Sequence, residues 1–201
     1  MGGVTIQCNG TSGTAGPINQ GLTPGNTPTD ALDAAARARG FTYNGTYAFV
    51  WNDFDISTIA GTANYGDGTI YTYWGSLVNY QQSSFGFGLW LSGCQQLVNP
   101  GDDVLWAYME VGPSFNTDVN PERSFLKLEP TEVTVKRGQG FTVTVTDGRT
   151  GNLTQNAIVA GFKTNAQGEA TIHLSKPGFF QYKAERVPDV RSNVMNVWVT
   201  D

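Results

Sequence analysis

The two halves of the chain carry different hydrophobic rhythms. From residue 125 onward, apolar and polar residues alternate in short runs, the period of strands with one buried face. Phe125-Leu126-Lys127-Leu128, Val133-Thr134-Val135, Phe141 to Val145, Ile158 to Phe162, Ala170 to Leu174, Phe180 to Ala184 and Val194 to Val199 follow it. Turn-forming residues separate them: Lys136-Arg137-Gly138, Asp147-Gly148, Asn165-Ala166-Gln167-Gly168 and Lys176-Pro177-Gly178. Seven short strands so spaced predict an all-β, immunoglobulin-like sandwich over residues 125–201, without the inter-sheet cysteine pair of antibody domains.

The first half is mixed. A short strand is expected at about 4–8, then a polar Gly/Pro loop to about 26. One helix follows. Thr27 suits its N-cap, Pro28 its first position, and Asp30 the acid of a capping box. Leu32, Ala35, Ala36 and Ala38 form a small apolar stripe, and Gly40 is the left-handed stop. Phe41 to Trp51 reads as a hairpin turning at Asn44-Gly45. Phe54 to Ile59 alternates as a strand, and Tyr71 to Val78 and Phe85 to Leu91 read as a strand pair. Asn99-Pro100-Gly101-Asp102 is a turn, and Val104 to Val111 is a last strand. One helix followed by mixed strands is an α+β pattern. The domains expected are therefore 1–112, a linker at 113–124 rich in Pro, Asn and Asp, and 125–201.

Charge marks the same division. Residues 1–124 hold 3 basic and 10 acidic residues, and residues 125–201 hold 9 basic and 7 acidic. The chain's net charge of −5 opposes a nucleic-acid partner, which needs a basic face. No run of about 18 apolar residues predicts a membrane span. Residues 1–30 lack the apolar stretch of a signal peptide, and Met1-Gly2-Gly3 reads as an addition before a mature N-terminus. Only 14% of residues are charged, well below the roughly 25% of an average soluble domain. With the Thr/Gly/Asn bias, this fits an extracellular β protein, secreted or on a cell surface. Cys8 and Cys94 read as a disulfide or as two buried thiols. Asn9, Asn44 and Asn152 head glycosylation sequons.

Catalytic patterns are missing. The single histidine, His173, falls on the wet face of its strand, and no Gly-x-Ser-x-Gly elbow exists for a triad. Neither a Cys-x-x-Cys pair nor a histidine cluster suggests a metal. Asp53 with Asp55, and Asp102 with Asp103, are carboxylate pairs that read as turn or surface residues; a hydrolase needs Asp53 or Asp55 beside another acid in a cleft. Gly86-Phe87-Gly88 is no dinucleotide loop. A non-enzymatic protein without cofactor is expected. What remains is aromatic: Tyr71, Tyr73, Trp74, Tyr80, Phe85, Phe87 and Trp90 crowd into twenty residues. Rings left exposed there stack on sugars or other flat ligands. Trp51, Tyr73, Trp74, Tyr80, Phe85 and Trp90 are the candidate ligand contacts. Glycan binding by the first domain is the leading expectation, and self-association between the acidic and basic halves of neighbouring molecules is the rival.

Five segments, in order, carry a family resemblance: Pro28-Thr29-Asp30-Ala31-Leu32-Asp33-Ala34-Ala35, Phe41-Thr42-Tyr43-Asn44-Gly45-Thr46, Asp53-Phe54-Asp55-Ile56, Tyr73-Trp74-Gly75-Ser76-Leu77-Val78-Asn79 and Gly101-Asp102-Asp103-Val104-Leu105-Trp106-Ala107. Together they resemble the transcobalamin C-terminal-like β-grasp family in its secreted microbial form, most like fungal surface proteins. Gly93-Cys94-Gln95 matches that form's cysteine position, which implies the bridge to Cys8. Val143-Thr144-Val145-Thr146-Asp147 and Thr164-Asn165-Ala166-Gln167-Gly168 resemble the Ig-like module that follows in such proteins. The resemblance implies a β-grasp domain joined to an Ig-like one. The helical half of the vertebrate vitamin clamp has no counterpart here, so vitamin binding is not carried over.

Overall fold

The computed structural model describes residues 27–48, 53–82, 84–85, 89–90, 93–94, 96–111 and 123–201. The chain divides into two compact units, Met1–Pro121 and Glu122–Asp201. The strand expected at about 4–8, Cys8 and the linker residues 112–122 lie outside the described residues.

In the first unit, helix α1 spans Pro28–Arg39. The Asp30 N–H donates to Thr27 Oγ1 (3.3 Å), and that hydroxyl donates to Asp30 Oδ2 (2.6 Å). Gly40 ends the helix at φ 73°, with its N–H on the Ala36 carbonyl. Leu32 and Ala36 are buried as expected, whereas Ala35 and Ala38 are exposed. The helix presents a two-residue stripe, narrower than the four positions expected. Asp33 joins it to the next strand by accepting from the Tyr43 hydroxyl at 2.7 Å.

Strands β1 (Tyr43–Ala48), β2 (Asp53–Ile59) and β3 (Thr62–Ala63) form one antiparallel sheet in that order. The expected turn at Asn44-Gly45 is instead the interior of β1, where the register with β2 slips by one residue. The cause is a close approach. A Cβ at Gly45 would strike the Asp55 carbonyl and the Phe54 ring, so glycine here allows a bulge rather than a reversal. A second sheet contains β4 (Tyr65–Gly66), β5 (Tyr71–Val78), β6 (Gln81–Gln82) and, after the small hairpin of β7 (Ser84–Phe85) and β8 (Leu89–Trp90), β9 (Val104–Val111). The partner of β5 is β9, paired from Tyr71↔Val111 to Val78↔Val104, and not the 85–91 run expected. Leu32, Phe54, Ile56, Ile59 and Cys94 form a core, with Phe41, Tyr43, Trp74 and Trp106 packed against it.

The second unit is built from β10 (Leu126–Glu129), β11 (Glu132–Lys136), β12 (Gly140–Asp147), β13 (Ile158–Val159), β14 (Phe162–Lys163), β15 (Glu169–His173), β16 (Gly178–Tyr182), β17 (Ala184–Glu185) and β18 (Met195–Thr200). Three sheets run β10-β12-β15, β11-β18-β16 and β14-β13-β17. All pairs are antiparallel except β11 with β18. The single strand expected over Ile158 to Phe162 is a hairpin, because Ala160 and Gly161 both take positive φ, as a type I′ turn requires. Alternate residues of every sheet meet in one core: Leu126, Leu128, Val143, Val145, Val159, Ile172, Ala184, Met195 and Val197 are all fully buried.

The chain enters this unit through a polar clamp. Arg186 pairs with Asp189, whose side chain is 2% exposed and accepts the Ser124 N–H at 3.0 Å. Arg186 also donates to the Gln155 carbonyl (3.1 Å) and the Ser124 hydroxyl (3.4 Å). Asp147 accepts from the N–H groups of Phe125 and Arg149, and the Arg149 guanidinium lies 4.5 Å over the Phe125 ring.

Candidate ligand-binding surface

Trp74 and Tyr108 tie two sheets of the first unit together. The Trp74 indole N–H donates to the Thr62 carbonyl at 2.8 Å, and its ring centre lies 5.3 Å from that of Tyr108. The Tyr108 hydroxyl donates to the Ala63 carbonyl and accepts from Thr72, both at 2.6 Å. Asn64 joins the same two sheets: its amide donates to the Ile56 carbonyl and accepts the Trp74 N–H, each at 3.1 Å. Tyr73 is half-buried with its hydroxyl on Met109 Sδ at 3.7 Å. Tyr80 is buried and sits in a left-handed turn at φ 62°. The polar handles of Tyr73 and Trp74 are thus spent inside the unit, and Tyr80 is withdrawn from solvent. Phe85 and Trp90 belong to β7 and β8, and their rings, like all of Trp51, lie outside the described residues.

Of the carboxylate pairs, the side chain of Asp53 lies outside the described residues. Asp55 is exposed on β2, and partial desolvation raises its carboxyl above the ordinary value. Asp102 accepts from the Asn99 N–H at 2.8 Å and the Asn79 amide at 2.6 Å. These bonds hold its carboxyl below the ordinary value, the Asn99 bond first. Asn79 in turn accepts the Asp103 N–H at 2.9 Å, so this pair fastens one turn to another. Among the described residues, no three His, Cys, Asp or Glu side chains converge. His173 is exposed, with its ring 3.4 Å from the Gly138 carbonyl. Cys94 is fully buried and is not a free thiol. Asn44 and Asn152 are exposed, while Asn9 lies outside the described residues.

An aromatic surface that the sequence reading passed over stands on the second unit. Residues 179–185 alternate strictly through β16, Lys183 and β17. Phe180, Tyr182 and Ala184 face the core, and Phe179, Gln181, Lys183 and Glu185 face out. On β18, Val197 and Val199 point in and Trp198 points out. Register places Phe179 beside Trp198, and Trp198 beside Thr134. The two rings are 5.1 Å apart at 43°, yet Phe179 is 53% and Trp198 40% exposed. The next row across the sheet is Gln181, Asn196 and Glu132. Gln181 donates to Asn196 at 2.9 Å, which leaves the Gln181 carbonyl and an Asn196 N–H for a ligand. The result is an apolar platform of two tilted, exposed rings edged by amides. Its signal in the sequence is Trp198 between two inward valines. A surface depression of this unit, lined by Glu129, Pro130, Thr131, Thr142 and Thr144, offers no aromatic ring.

No helix among the described residues is long and apolar enough to cross a membrane. Comparison of the chain with protein-family models and with curated proteins returns no match.

Proposed function

We propose that this chain is a non-enzymatic extracellular binding protein that holds glycan on the Phe179–Trp198 platform. A pyranose ring has an apolar C–H face and a hydroxyl rim. It needs a solvent-exposed π surface with amide donors and acceptors beside it. The observation that carries the reading is that paired rings stay open to solvent while the polar atoms of Tyr73 and Trp74 are engaged inside the first unit. A platform without walls implies a weak single site, with Kd on the order of 0.1–1 mM, about 4–5.5 kcal/mol. Tight attachment then requires several copies along one polymer.

The finer architecture belongs to the same proposal. A helix packed on antiparallel sheets supports a β-grasp-like first domain, and three small sheets sharing one core support an Ig-like second. Secretion, the Cys8–Cys94 bridge and glycan at Asn9, Asn44 and Asn152 complete it; the burial of Cys94 and the exposure of Asn44 and Asn152 support them. Self-association is a second reading, favoured by the charge contrast between the units. The test for binding is titration of the intact chain with soluble cell-wall oligosaccharides followed by tryptophan fluorescence or calorimetry. Saturable binding lost in Trp198→Ala and Phe179→Ala supports the platform. Binding that both variants retain refutes it. Salt-sensitive oligomers in sedimentation, with no glycan binding, favour the second reading.

A further inference from the structure

We infer that the glycan held by this face is acidic, its sugar ring on Phe179 and Trp198 and its negative charge on Lys183. The inference rests on the binding reading above and adds the ligand's charge. Phe179, Gln181, Lys183 and Glu185 lie at alternate positions and are all exposed, the first two on the β11-β18-β16 sheet and Glu185 on the β14-β13-β17 sheet, with Lys183 at the junction. At about 3.3 Å per residue of extended chain, Lys183 lies within roughly 13 Å of Phe179, with Gln181 between them in sequence. That is the reach of a short oligosaccharide laid along the strand.

The charges at the far end are unbalanced. Lys163, Ile158 and Glu185 share one row across β14, β13 and β17. Arg191 contacts the Glu185 carboxylate at 3.4 Å. Lys183 and Lys163 make no ion pair among the described residues, and both are exposed. Three cations therefore face one carboxylate. At the platform end the groups are Thr134, Trp198 and Phe179, with Lys136 in the row beyond and Glu132 beside Asn196. Desolvation first, and then the Arg191 charge, lowers the Lys183 pKa, an effect that Glu185 opposes. The excess of cations over carboxylates here is relieved by a bound carboxylate. A neutral polymer would leave it in place.

The test uses the intact chain and two probes of equal length: an oligogalacturonate and its methyl-esterified, neutral form. At low ionic strength the acidic probe is expected to bind at least fivefold tighter, and the preference is expected to shrink at 0.3 M NaCl. Lys183→Gln brings the two probes to within about twofold of each other. Glu185→Gln, which removes the carboxylate from the run, tightens acidic binding. Trp198→Ala abolishes binding of both. Equal affinity of the unaltered chain for both probes overturns the acidic assignment and leaves the glycan reading standing. A charge preference unmoved by Lys183→Gln overturns the role of that residue. Acidic binding that survives Trp198→Ala is ion exchange without the platform and overturns the inference. Binding of neither probe overturns both readings.

Discussion

Replacing Asp189 by Asn tests whether the entrance to the second unit is held by charge. The side chain is 2% exposed, pairs with Arg186 and accepts the Ser124 N–H at 3.0 Å. Breaking a buried ion pair from one side costs about 3–5 kcal/mol, because the remaining charge is left uncompensated. Two features reduce that cost here. The Arg186 side chain is 31% exposed and keeps two neutral acceptors, the Gln155 carbonyl and the Ser124 hydroxyl. Asn also retains an oxygen for the Ser124 N–H. The expected loss is therefore about 2–3 kcal/mol. In a unit of this size each kcal/mol moves the midpoint by about 4–8 °C. Calorimetry of the intact chain should show one transition falling by roughly 10–20 °C. Arg186→Met and the double variant close the cycle, with an expected coupling of at least about 1.5 kcal/mol. A loss under about 0.5 kcal/mol, or additive single losses, refutes the clamp.

Three further outcomes are expected of the first unit. Asn79 stands at φ 52° and bonds to Asp102 and Asp103. Asn79→Gly keeps the turn and loses the bonds, so urea denaturation should show it costing about 1 kcal/mol, with Asn79→Ala costing about 1 kcal/mol more from backbone strain. The Thr29 hydroxyl is buried without a partner, so Thr29→Val should stabilise by about 1 kcal/mol in the same assay. Partial desolvation raises the Asp55 carboxyl pKa. Its favourable neutral form is fully present below the unfolded carboxylate range and is lost as pH rises through the raised folded value. Asp55→Asn should therefore stabilise the chain at pH 7, with the difference vanishing near about pH 3 in pH-dependent melting.

What was legible in the chain was local. Thr27, Pro28, Asp30 and Gly40 mark both ends of the helix because capping is settled within one turn of the backbone. The strands of the second unit showed themselves because each buries one face, so alternation reports them directly. Pairing was harder to read. Tyr71–Val78 takes its partner from Val104–Val111, across an intervening hairpin, and no spacing in the sequence announces that choice. Asn44-Gly45 carries the letters of a turn, but the crowding of Asp55 and Phe54 that demands glycine there exists only once β2 lies alongside. The surroundings of the candidate rings were hidden for the same reason. Tyr73, Trp74 and Tyr80 look like a ligand surface by density, yet their partners, Met109, Thr62 and the surrounding core, come from elsewhere in the chain. Trp198 was open to the alternation rule, and Phe179 joined it only through the register of β16 with β18.

The most direct measurement is binding of the intact chain and of Trp198→Ala to soluble cell-wall glycan, with calorimetric melting of each to show that the fold is kept. The account predicts saturable binding by the first, none by the second, and unchanged melting, since Trp198 stands outside the core. Equal binding by the two, or none by either, contradicts it.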